Sequence, residues 1–64
     1  MTAMSPTEMT TKLKDLMYEI ELDTIKSDSK VKTIKSLDDY FTANGFLTKP
    51  QQDLLRKIYE EVIG

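Results

Sequence analysis

The chain contains no cysteine and no histidine. Without cysteine there is no disulfide, thiolate metal site or sulfur nucleophile. Without histidine the usual general base and the commonest metal ligand are missing, so no metal or other cofactor is expected. Long apolar runs are also lacking, and none approaches the ~20 residues that a membrane span needs. The opening Met1-Thr2-Ala3-Met4 has neither a basic region nor an apolar core, so no signal peptide is read there. Residues 1–4 are expected to fray, and cytoplasmic residence is the default expectation. A basic excess is absent as well: 9 Lys and Arg face 11 Asp and Glu, for a net charge of −2. That balance argues against a generally basic nucleic-acid coat.

What remains is one domain, residues 5–64, near the lower size limit for a chain that folds alone. Its 39% apolar content is patterned, which disorder does not require. With no covalent staple, stability must come from well-packed helices, an oligomer or a partner.

The pattern is helical throughout. Ser5-Pro6-Thr7-Glu8 carries the parts of a helix start: a capping hydroxyl, a proline at the first position and an acidic residue able to reach back. Met9, Leu13, Leu16, Met17 and Ile20 then form one apolar stripe, predicting a helix over about 6–22. Glu19, Glu21 and Asp23 crowd its negative end, which the helix dipole disfavours. Residues 23–28 are polar apart from Ile25, which is expected to fold back onto the core; a short fourth helical turn is left open there. Val31, Ile34, Leu37 and Phe41, with Tyr40 beside them, predict a second helix over about 29–43.

Asn44-Gly45 supplies the left-handed backbone that ends such a helix. Phe46 and Leu47 follow, and burying both would contribute about 3–6 kcal/mol. Thr48, Pro50 and Gln51 then read as a capping box opening a third helix over about 49–63. Leu54, Leu55, Ile58 and Val62, with Tyr59 and Ile63, are expected to face inward. The fold class is all-α, a compact three-helix bundle.

Two sets of side chains stand out as candidate contacts. Lys26, Lys30, Lys32 and Lys35, with Asp28 among them, give residues 26–35 a net charge of +3 in an otherwise acidic chain. This block can bind single-stranded nucleic acid or an acidic partner, or it can be a solvated surface that neutralises the acidic end of the first helix. No aromatic is interleaved with it. The second set, Lys49, Gln51, Arg56 and Lys57, belongs to a helix–corner–helix unit with the outline of a helix-turn-helix, whose second helix reads the major groove. An ordinary αα-corner with a polar outer face accounts for the same pattern, and Asp53, Glu60 and Glu61 would repel a phosphate backbone. The pairs Asp38-Asp39 and Glu60-Glu61 point about 100° apart on a helix and converge on no common atom. No imidazole is present to activate a serine or threonine, so no catalytic residue is assigned and the chain is read as a non-enzyme. Met9 and Met17 fall on the core stripe and are expected to fill it.

The stretch from Tyr40 to Tyr59 resembles a pattern of small phage DNA-metabolism proteins. An aromatic-ended helix is followed by Asn-Gly, then Leu-Thr, then Lys-x-Gln before a Leu/Ile-rich helix. It is similar to the small helical accessory proteins encoded beside the recombination helicase of T-even phages, themselves akin to the nucleic-acid-binding helical module of RecQ-type helicases. Residues 1–39 carry no part of the pattern. The resemblance implies residence in a host cytoplasm and a non-enzymatic accessory that binds a helicase or other DNA-processing protein, and DNA weakly. The alternative is an acidic protein-only inhibitor or adaptor that covers a basic site on its target. A monomer or a small homo-oligomer fits either.

Overall fold

The computed structural model describes residues 4–64, which form a three-helix bundle of α1 (Pro6–Glu21), α2 (Asp28–Asn44) and α3 (Lys49–Val62). Each helix packs on both of the others, within extents of 29 × 24 × 18 Å. The boundaries follow from local chemistry. The Ser5 hydroxyl accepts the Glu8 amide at 3.1 Å and the Ser27 hydroxyl accepts the Lys30 amide at 3.3 Å, which satisfies one orphan donor at each helix start. At α3, Gln51 Oε1 accepts both the Thr48 amide at 2.9 Å and the Thr48 hydroxyl at 3.0 Å.

The two helix stops use different residues for the same backbone. Gly45 takes φ +79° and donates its amide to the Phe41 carbonyl at 2.7 Å, ending α2. The end of α1 has no glycine. Asp23 adopts φ +57°, its amide reaches the Ile20 carbonyl and the Thr24 amide reaches back to Glu19. That pair of bonds is a Schellman motif built on a non-glycine residue. It reverses the chain at once, so the fourth helical turn allowed near 23–28 does not form. Residues 24–27 are irregular and α2 begins at Asp28.

The core is Met9, Leu13 and Leu16 of α1, Ile34 and Leu37 of α2, Leu55 and Ile58 of α3, and Met4, Ile25 and Leu47 from the connecting segments. Ile25 folds back as expected. Met4 corrects the reading of a frayed terminus: it is buried, and its amide donates to Gln52 Oε1 of α3 at 3.1 Å. Residues 1–3 lie outside the described residues. Three inward assignments are also corrected. Phe46 is 50% exposed, Leu54 40% and Ile63 42%. Leu47 and Leu55 take the buried places that Phe46 and Leu54 were expected to share.

Candidate interaction surface

The eight cationic and amide candidates do not form one patch. Lys26 lies in the α1–α2 connection, where its ammonium donates to the Asp23 carbonyl at 3.0 Å and sits 4.0 Å from the Asp23 carboxylate. It is thus the lysine that answers the negative end of α1, where the Thr24 hydroxyl also reaches Glu19. Lys30 turns the other way and pairs with Glu61 of α3 at 3.4 Å, both side chains being only partly exposed. Lys26 and Lys30 share a shallow cleft of about 330 Å³ with Glu19 and Glu61, so their charge is locally cancelled. Lys32 and Lys35 are exposed on α2 and make no ion pair among the described residues. In the second set, Gln51 is engaged in capping and Arg56 pairs with Asp53 at 3.8 Å. Lys49 and Lys57 stay exposed without an ion pair among the described residues.

The feature that sequence reasoning missed lies between α2 and α3. Phe46 stands half-exposed at the corner, its ring edge-on to Tyr40 with centroids 6.0 Å apart and planes at 89°. Leu54 is exposed one turn into α3. It precedes Glu61 by seven residues, so both lie on one stripe, and the Lys30–Glu61 pair shows that this stripe borders α2. Phe46 thus meets Tyr40 at the corner, and Leu54 is exposed on the α3 stripe that Glu61 shares. The signal in the sequence was adjacency: Phe46-Leu47 and Leu54-Leu55 are neighbours about 100° apart on a helix, or on opposite sides of an extended corner, so both members of a pair rarely reach one core.

The α1–α3 side is a structural seam. The Tyr59 hydroxyl donates to Asp15 Oδ2 at 3.0 Å, and the Lys12 ammonium lies 4.0 Å from the Tyr59 ring centroid. The bond to Asp15, with burial and the Asp15 charge behind it, raises the Tyr59 pKa above its ordinary value. A phenol held protonated in this way acts as a strut. Among the described residues no cluster of three acidic side chains can hold a metal ion, and no helix is long and apolar enough to cross a membrane. Comparison with protein-family models, curated proteins and solved structures finds no match to the chain.

Proposed function

We propose that the chain is a non-enzymatic interaction module, an accessory that binds a DNA-processing protein and touches DNA weakly. The observation that carries this reading is the placement of Phe46 and Leu54. A 64-residue chain has little apolar surface to spare, yet it leaves these two side chains in solvent, as it does Tyr18, Leu22 and Ile63. The resemblance over residues 40–59 supplies the DNA-processing context, since it covers the same helix–corner–helix unit. The DNA contact falls to Lys32, Lys35, Lys49 and Lys57, which make no ion pair among the described residues. Lys26 and Lys30 are engaged internally and contribute less.

Fluorescence anisotropy with a labelled single-stranded oligonucleotide tests the DNA part. Weak binding that falls with salt is expected, with a slope reduced by the Lys32/Lys35 to Ala and Lys49/Lys57 to Ala double variants. A slope unchanged by both double variants would remove DNA from the proposal.

A further inference from the structure

We infer that a second copy of this chain docks on the outer face of α1, the two helices lying antiparallel about a two-fold axis beside Tyr18. α1 carries two stripes. Met9, Leu13, Leu16 and Ile20 pack into the core. Thr7, Thr11, Lys14, Tyr18 and Glu21 recur at alternating spacings of four and three, the repeat of a helix–helix seam, and Leu22 lies one turn past Tyr18. All six of these side chains are exposed. Tyr18 stands about 160° around the helix from both Leu16 and Ile20. At 59% it is the most exposed large apolar side chain among the described residues, and Leu22 is 51% exposed.

The charges on this second stripe select its occupant. Lys14 and Glu21 have no oppositely charged residue three or four positions away, and neither makes an ion pair among the described residues. They are seven residues apart and share one side of the stripe. Turning a second α1 antiparallel about a point between Met17 and Tyr18 sets Lys14 opposite the partner's Glu21 and Glu21 opposite the partner's Lys14. The two Tyr18 rings then meet at the centre, with Leu22 beside them. The pairing also relieves a disfavoured charge. The last turn of α1 has no basic residue, and Glu21 lies at the negative end of the helix dipole, where the partner's Lys14 supplies a cation. Neighbouring charges are turned elsewhere: Lys12 and Asp15 engage Tyr59 of α3, and Glu19 accepts the Thr24 hydroxyl. A phosphate backbone fits less well, since Glu21 stands as close to Tyr18 as Lys14 does. One helix face is smaller than the ~800 Å² per partner of a stable interface, so the dimer is weak, with a Kd of about 10⁻⁴–10⁻³ M.

Sedimentation equilibrium of the full chain across that concentration range should show a reversible monomer–dimer equilibrium that salt weakens. Lys14→Glu and Glu21→Lys each place like charges opposite one another in both pairs, and each should raise Kd about tenfold or more. Tyr18→Asp should do the same. The double variant carrying both reversals rebuilds the two pairs and should return to within about threefold of the wild-type Kd. An equimolar mixture of the two single variants should form a heterodimer more tightly than either associates with itself. Both rescues require folded proteins, so loss of structure cannot imitate them. A chain that stays monomeric across the range overturns the inference. A dimer indifferent to Tyr18→Asp, or a double variant no tighter than the singles, overturns it equally. Tyr18 ring signals followed by NMR should move with protein concentration. If they stay fixed and move instead with oligothymidine or anionic phospholipid vesicles, that ligand takes the face and the second copy does not.

Discussion

Leu54 and Leu55 are adjacent, identical in chemistry and equal in helix propensity, yet Leu55 is fully buried and Leu54 is 40% exposed. Truncating each to alanine isolates burial from every other variable. Leu→Ala removes three carbons, at about 0.8 kcal/mol for each one buried, or about 2.4 kcal/mol for a fully buried side chain. At Leu55 the enclosed cavity adds to this, so Leu55→Ala should cost about 3 kcal/mol. At Leu54 the side chain is only partly shielded and no enclosed cavity forms. Alanine's better helix propensity returns about 0.2 kcal/mol, leaving a cost of about 1 kcal/mol.

A chain of 64 residues has a total stability on the order of 3–10 kcal/mol, so the larger loss is a large share of the whole. Urea unfolding followed by circular dichroism at 222 nm reads both. With a slope of about 1 kcal/mol per molar for so small a domain, the midpoints should fall by about 3 M and about 1 M. Equal shifts, or a larger one for Leu54, would mean that α3 is rotated from the orientation described.

Four further outcomes follow from the helix ends and the α1–α3 seam. Gly45→Ala should destabilise by about 1 kcal/mol through its left-handed backbone alone, because nothing lies within 4 Å of an added Cβ. Asp23→Gly should stabilise by a similar ~1 kcal/mol, since it relieves a non-glycine residue at positive φ and removes an anion from a helix C-terminus, while the exposed Lys26 pair it loses is worth little; both are read by thermal or urea unfolding. Ser27→Ala should cost about 1 kcal/mol by removing the cap of α2. The Tyr59 phenol, followed by NMR of its ring carbons, should titrate above its ordinary value and return toward it in Asp15→Asn. Because its folded pKa is raised, the stabilisation linked to it is complete below the unfolded phenol pKa and is lost as pH rises through the folded value.

Most of the fold is legible because its signals are local. A helix start is written in three or four residues, as at Ser5-Pro6 and Thr48-Lys49-Pro50-Gln51, and an apolar stripe is written in five. Asn44-Gly45 marks the stop of α2 for the same reason. Asp23 escapes notice because aspartate is only an occasional occupant of left-handed backbone; its use there depends on Ile25 being pulled into the core, a tertiary event. Met4 is illegible for the same cause. Its burial depends on Gln52, 48 residues away, presenting a carbonyl oxygen to its amide.

The candidate surface is less legible, since charge proximity in sequence is not proximity in space. Lys30 and Lys32 lie about 200° apart on a helix, and Lys35 falls about 60° from Lys32. Winding therefore sends Lys30 to the rim facing Glu61 and leaves Lys32 and Lys35 on the outer side, so a run of net charge +3 becomes separate, partly cancelled sites. The corner behaves in the opposite way. Its residues are close in sequence and stay close in space, but hydrophobicity alone cannot say which of Phe46 and Leu47 the core accepts. The bundle takes the aliphatic side chain, whose place beneath the corner is closed, and leaves the larger ring outside against Tyr40. The same capping and turning residues that set the angle of α3 thereby decide which of the two side chains stays in solvent.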